Sequence, residues 1–428
     1  TFKTNAGTDY GKGIWEECDI PGSQHTINPK TMPWKLTHKS NGTWEMTTET
    51  WESRTTGDEE SSPTPSFINK KLRNIFLYRN RMCFLTDDIL CMSTAANFTN
   101  WWNETALALS DSDPIYLSAS TDRVTDLYDF GTLSDSLIIF GENNQFQLET
   151  GDILSPKTAA LIPCTSTSYT NGTGVASAGS RLYFGSKTGD SFTVSEFGIS
   201  SVTGDKEVNS ITSHIPSYIP YLKRTRLSAS DNVNNIAITS DKTPDTIAIY
   251  QYYISSAQKL QSAWHKYTFT DTDIKGHLFR DNILWLYMLK QGTTPYIATI
   301  DLAEHPQTNE PKPHLDYCQA LTSDIPTTQF QLPDYINPNR LQILIYTPEG
   351  HLTATNAYII TNGTINIFTP ATTIIVGEKY TRTYTFSTQY ISSKKTTGEE
   401  KIITTGRWQL QKLKLTHGYS GTYKVTIT

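Results

Sequence analysis

Apolar residues recur along this chain in short alternating runs that come in pairs, and the pairs themselves recur. Five stretches share the pattern: Asn80–Ser93, Asp135–Glu149, Gly179–Phe197, Asn234–Tyr250 and Asp281–Asp301. Each runs through a few residues rich in apolar types, turns, and returns through a second such run. A strand places successive side chains on opposite faces, so paired runs around a polar turn predict antiparallel hairpins. The copies follow one another at intervals of roughly fifty residues, a spacing that suits the paired inner strands of propeller blades. Identities drift between copies while the pattern persists, which asks for a half-buried pleat rather than a fixed chemistry. The expected fold is all-β: a β-propeller of five or six irregular blades with a flanking β-sandwich-like platform domain.

Two breaks divide the pattern. Gly57–Phe67 is acidic and then Pro-rich, and Glu304–Leu315 carries Pro306, Pro311 and Pro313. Such clusters mark loops or linkers. The expected domains are an N-terminal β segment of the platform over 1–65, the propeller over 66–308, and a C-terminal β platform over 309–428. In the last, Arg340–Tyr346 and Tyr358–Phe368 read as strands, and Tyr380–Ile391 alternates. Asn339–Ile359 resembles a sixth hairpin copy but is assigned to the C-terminal domain because it lies beyond the Pro-rich break. The chain starts at Thr1 and stops inside an alternating run, Thr422–Thr428, which predicts a piece of a longer protein.

Composition supports strands: 23 Tyr and 9 Trp accompany abundant Ser and Thr. The net charge of −6 has both signs interspersed, so the chain carries no overall electrostatic footprint of a nucleic-acid binder. No apolar run approaches the roughly twenty residues needed to span a membrane as a helix. Cys18, Cys83, Cys91, Cys164 and Cys318 are odd in number and form no Cys-x-x-Cys pair. Thiols scattered this way read as small buried apolar residues of a protein assembled in a reducing cytosol.

Candidate chemistry is sparse, and no catalytic, cofactor-binding or metal-binding residue is assigned. No His pair has a close metal-ligand spacing; His214 and His265, set among apolar and aromatic neighbours, read as hydrogen-bonded structural histidines. Gly11-Lys-Gly13 lacks the third glycine of a dinucleotide loop. Gly185-Ser-Lys187-Thr188 resembles the end of a phosphate loop but reads better as a hairpin turn. Asp271–Gly276 begins like a calcium loop, yet Lys275 stands where an oxygen ligand is needed and Asn282 where a bidentate Glu is needed. Asp111-Ser-Asp113-Pro114 reads as a solvated turn. Lys223-Arg224-Thr-Arg226, a dense basic cluster, reads as a solvated strand edge or subunit contact rather than a DNA-reading patch.

Several stretches carry a resemblance. Phe76–Leu85, Asn97–Trp102 and Leu109–Arg123 resemble the nozzle proteins (tail tubular protein B) of short-tailed bacteriophages. Collinear with them are Gly13–Glu16, Thr31-Met32-Pro33, Gly57–Phe67, Ile211–Pro220, Gly406–Gln411 and Ser420-Gly421-Thr422-Tyr423. The resemblance implies a structural, non-enzymatic virion protein without cofactors. It would form a homo-hexameric ring below the adaptor (tail tubular protein A) and portal, enclosing and closing the DNA ejection channel. It further implies contacts with tail fibres and internal core proteins, non-specific passage of double-stranded DNA, and assembly in the bacterial host cytoplasm. The competing expectation is a glycan-binding or glycan-cleaving propeller, with Trp101-Trp102 as sugar platform. For that pair, packing in a core is the favoured reading.

Overall fold

The computed structural model describes residues 2–4, 15–121, 125–200, 203–255, 258–290, 295–303, 313–347, 349–385, 391–394, 400–403, 412 and 414. Outside them lie Gly11–Gly13, residues 304–312 of the Pro-rich break, residues 386–390, Gly406–Gln411 and the final run. Among the described residues every regular element is a strand except two 3-10 turns, Pro29–Thr31 and Pro338–Arg340. The chain is all-β. It divides into two compact units, Thr1–Ala303 and Glu304–Thr428.

The first unit opens with two hairpins, β1 (Phe2–Thr4) with β2 (Trp15–Glu17), and β3 (Trp34–His38) with β4 (Trp44–Thr48). Five antiparallel meanders follow. Sheet 1 holds β5 (Leu72–Tyr78), β6 (Arg81–Thr86), β7 (Ile89–Met92) and β8 (Ile115–Ser118). Sheet 2 holds β9 (Leu127–Leu133), β10 (Ser136–Gly141), β11 (Gln145–Glu149) and β12 (Ala160–Thr165). Sheet 3 holds β13 (Ala176–Ala178), β14 (Arg181–Thr188), β15 (Ser191–Ile199) and β16 (Lys206–Ser210). Sheet 4 holds β17 (Thr225–Ser230), β18 (Asn235–Ser240), β19 (Thr243–Ser255) and β20 (Gln258–Thr268). Sheet 5 has three strands, β21 (Thr272–Arg280), β22 (Ile283–Lys290) and β23 (Tyr296–Asp301).

Each of the five repeated stretches is one antiparallel hairpin in its own sheet: β6–β7, β10–β11, β14–β15, β18–β19 and β22–β23. Period-two alternation then does more than make a core face. In β10, Leu137 and Ile139 enter a core shared with Leu85, Leu90 and Met92 of sheet 1. Their neighbours Ile138 and Phe140 enter a second core with Leu182, Phe184 and Phe197 of sheet 3. In β14, Tyr183 turns the other way, into a third core with Ile236, Ile238 and Tyr250 of sheet 4. The sheets therefore pack face to face in chain order, and the first strand of each lies near the first strand of the next. A sheet with both faces covered needs apolar residues at consecutive positions, which is why the inner runs read as near-continuous hydrophobic stretches.

The turns obey local rules. Tyr78 pairs with Arg81 across a two-residue loop in which Arg79 and Asn80 both have positive φ, 42° and 60°, the requirement of a type I′ turn. Gly185 has another reason to be glycine: a Cβ there would sit 2.1 Å from the ring of the buried Phe192. Gly185-Ser-Lys187-Thr188 thus ends β14 just before its turn and leaves room for an aromatic ring.

The second unit is a five-stranded sheet of β24 (Asp316–Gln331), β25 (Leu341–Tyr346), β26 (Leu352–Thr355), β27 (Tyr358–Thr361) and β28 (Thr364–Glu378). The run expected as one strand, Tyr358–Phe368, is a hairpin. Asn362 and Gly363, at φ 50° and 79°, turn it between β27 and β28. Residues 380–385 lie in no sheet despite their alternation, and β29 (Ile391–Lys394) pairs with β30 (Glu400–Ile403). The unit's core gathers Phe330, Ile336, Ile343, Ile365, Ile374 and Val376. Glu378 is buried there, accepting from Arg340 Nε at 2.7 Å and from the Asn337 amide at 2.6 Å.

Candidate functional site

Trp101 and Trp102 lie beyond β7 on the outer face of sheet 1, and both are buried. Trp101 stacks on Phe84 with ring centroids 4.5 Å apart, and Phe67 meets both rings edge-on. Trp102 donates Nε1–H to the Glu52 carbonyl at 3.1 Å, while the Arg54 guanidinium covers its ring at 4.7 Å. Ile27, Met32 and Trp51 complete this aromatic lid, which draws the segment before β5 onto sheet 1. A sugar cannot stack on rings held inside a core, so the pair is a packing device.

The most connected ionic cluster lies between sheets 3 and 4. Glu196 on β15 is buried and contacts Arg181 Nη1 at 2.5 Å, the Tyr183 hydroxyl at 2.8 Å and the Lys259 ammonium of β20. Lys259 also reaches the Tyr250 hydroxyl at 3.2 Å. One carboxylate satisfied by two cations and a phenol leaves no free base, and the arrangement ties two sheets together. Burial and the Glu196 charge hold the Tyr183 phenol far above its ordinary range, so it stays a neutral donor.

Other sequence candidates resolve individually. His214 is exposed, not a structural histidine: in the turns of Ile211–Pro220, which link β16 to β17, Ile211 and Ile219 take the buried positions. His265 packs edge-on against Tyr267, ring centroids 5.1 Å apart. The histidine with a structural role is His277 on β21. Its Nδ1 lies 3.2 Å from Thr239 Oγ1 and its Nε2 lies 3.1 Å from the Ala237 carbonyl, joining sheets 4 and 5. Burial pushes its pKa down to about 4. Its inward register beside Leu286 was the available signal.

Asp113 is in a turn as expected but is buried rather than solvated, its carboxylate accepting from the amides of Ser110 and Glu104. Beside it the buried Arg81 donates to the carbonyls of Ser93, Asp111, Ser112 and Asp113. The Asp271–Gly276 stretch forms the start of β21, with Lys275 paired to Asp273 at 2.7 Å. Lys223, Arg224 and Arg226 are exposed at the start of β17, an outer strand of sheet 4. Cys83 and Cys91 are buried, with the Cys83 thiol pushed up to about 12; Cys18 and Cys164 are half-buried and Cys318 is exposed, so only two fit the buried expectation. Among the described residues no group of three or more His, Cys, Asp or Glu is arranged to hold a metal ion, and no helix is long and apolar enough to cross a membrane.

What remains is a body of stacked sheets whose polar clusters are internal ties. Comparison with known proteins gives this body a context. A family described as bacteriophage nozzle protein matches residues 2–428. The tail tubular protein gp12 of Escherichia phage T7 is 22% identical over 442 residues, covering 98% of this chain and 55% of that protein. The chain thus spans about half the length of that curated relative. Among solved structures, Kluyveromyces lactis Hsv2 aligns at 11% identity over 72% of this chain and 89% of its own, with a TM-score of 0.33. The extracellular domain of a putative hybrid two-component system from B. thetaiotaomicron aligns at 12% identity over 79% of this chain and 46% of its own, with a TM-score of 0.30. Overlaps that loose carry no argument.

Proposed function

This chain belongs to the bacteriophage nozzle protein family, and from that membership we propose that it is a structural phage-tail protein whose copies build a ring around the DNA ejection channel. The observation that carries the reading is the family match along residues 2–428. The ring has six copies, sits below the adaptor (tail tubular protein A) and portal, and holds the channel closed until infection. Tail fibres and internal core proteins are its further neighbours. The protein is not an enzyme, is assembled in the host cytoplasm and resides in the virion.

Within the subunit, the five sheets are blades of a propeller over residues 66–308. Supporting this are their face-to-face packing in chain order and the approach of successive first strands. Residues 1–65 and residues 309–428 each carry ring contacts. The net charge of −6 suits a conduit. Lys and Arg contacts release counterions from phosphates and would hold DNA, whereas a neutral or acidic lumen lets it slide.

Native mass spectrometry of the purified chain, alone and with the adaptor, tests this reading. A six-copy ring that joins the adaptor is expected. A chain that stays monomeric at all concentrations, with and without adaptor, would overturn it.

A further inference from the structure

The triplet Asn-Gly-Thr occurs three times, at Asn41, Asn171 and Asn362, and each copy sits in a turn. An Asn before Gly can react with its own main chain, because glycine has no Cβ to shield the nitrogen that attacks. The glycine nitrogen adds to the Asn Cγ, a new C–N bond closes a cyclic imide, and the Cγ–Nδ2 bond breaks. Nδ2 leaves as ammonia with the proton that the backbone nitrogen gives up. Water then opens the imide at either carbonyl, leaving aspartate or isoaspartate, the latter with Cβ in the main chain. Because the three triplets are identical, the sequence barely separates their reactivity.

The structure does separate them. Asn41 Oδ1 accepts from the Thr43 amide at 3.0 Å and the Thr43 hydroxyl at 2.7 Å, while the Gly42 amide donates to the Lys39 carbonyl at 2.9 Å. Both reacting groups are held. Asn362 sits at φ 50° in a two-residue turn closed by the paired Thr361 and Thr364. The Gly363 carbonyl accepts from the Leu332 amide at 2.8 Å and from Gln331 Nε2 at 3.1 Å. Turning that peptide toward the side chain works against the ladder and both bonds. Asn171 and Gly172 are exposed. Among the described residues, neither the Asn171 carboxamide nor the peptide joining it to Gly172 makes a hydrogen bond. A Cβ at Gly172 would meet nothing within 4 Å. The peptide is thus free to rotate in open space.

We infer that Asn171 is a modification site, the position at which the folded chain deamidates ahead of Asn41 and Asn362. The step consumes only water and needs no enzyme or cofactor. Its position gives it a structural consequence, because the residues around it tie three sheets. The Tyr169 amide donates to the Glu142 carbonyl in the β10–β11 turn of sheet 2 at 2.9 Å. Thr170 donates its amide to the Gly185 carbonyl of β14 at 3.0 Å, and its Oγ1 accepts from the Lys187 amide at 2.7 Å. The Thr173 carbonyl accepts from the Leu227 amide of β17, in sheet 4, at 3.0 Å. Isoaspartate adds a main-chain carbon between these two pinned threonines, and a carboxylate with it. The ties of Thr170 and Thr173 to sheets 3 and 4 then loosen.

Peptide mapping by mass spectrometry of the full chain, kept in mildly alkaline buffer, reads all three sites in one sample. Asn171 should convert at least about tenfold faster than Asn41, whose hydrogen bonds must open first, and also faster than Asn362. In concentrated urea the three rates should converge to within about twofold, since unfolding leaves identical triplets. Asn171→Gln should remove the fastest conversion and leave the other two unchanged. Hydrogen exchange of the aged chain should quicken at the Lys187 and Leu227 amides, whose acceptors flank the turn. Asn41 or Asn362 converting as fast as Asn171 in the folded chain would overturn the assignment, as would a rate order that persists in urea. Unchanged exchange at Lys187 and Leu227 after conversion would overturn the consequence for sheets 3 and 4.

Discussion

The two ends of the sheet stack start from the same pattern and finish differently. Sheet 1 and sheet 5 are both antiparallel meanders with an alternating inner hairpin. On the outer face of sheet 1, Phe67, Trp51, Trp101 and Trp102 close around Phe84, while Ile75 and Leu77 of β5 stay 47% and 61% exposed. The outer face of sheet 5 presents Leu278, Tyr287 and Ile297 to solvent. Alternation specifies that a face is apolar; only the rest of the chain, or another chain, decides what lies against it. The lidded part of sheet 1 should dominate the stability of the isolated subunit.

The sharpest way to break this contrast is at the sealed end. Trp101→Ala removes a ring stacked on Phe84 in a site with no exposed surface, and the transfer and cavity costs together should lower stability by about 4 kcal/mol. Urea denaturation measures it. A loss under 1 kcal/mol would mean that the lid packs loosely and that the two ends are alike.

Between the ends, His277 ties sheet 5 to sheet 4 and brings a pH dependence. Its pKa falls from 6.5 to about 4 on folding, because burial disfavours the imidazolium and Arg226 adds repulsion. Between those values the unfolded chain binds the extra proton and the folded one does not. The stabilising contribution is therefore full above pH 6.5 and is lost as pH falls toward 4. With each pH unit worth about 1.4 kcal/mol at most, the total should be roughly 3 kcal/mol. Thermal melts of the chain and of His277→Gln between pH 7 and 4 should diverge in slope; parallel curves would show that the ring is solvated.

The smallest effect belongs to the β3–β4 hairpin. Trp44→Ser deletes an indole as large as that of Trp101, yet in the isolated subunit it should change stability by less than about 0.5 kcal/mol, because the ring is already in water. A loss comparable to that of Trp101→Ala would place the hairpin inside the subunit's own core.

The strands were legible because alternation and turn residues are local properties. The five hairpins fall where paired apolar runs flank polar turns, and the Asn362–Gly363 pair marks a turn that a single-strand reading of Tyr358–Phe368 passed over. Burial was less legible, since it depends on partners distant in sequence. Trp101 and Trp34 are the same residue type, but one meets Phe84 and Phe67 and the other meets solvent. His214 has apolar neighbours that take the interior positions and leave it outside. Asp113 reads as a surface turn residue, yet Arg81 and the loop amides enclose it. The sealing of sheet 1 by residues 25–67 likewise depends on contacts that no local pattern encodes.

The most direct measurement is a symmetry-averaged cryo-electron-microscopy reconstruction of the assembled full-length chain. The account predicts a closed ring of six copies, each with its five sheets packed in chain order and the aromatic lid of sheet 1 held inside its own subunit. A chain that forms no ring, or a ring in which the five sheets do not pack in chain order, would contradict it.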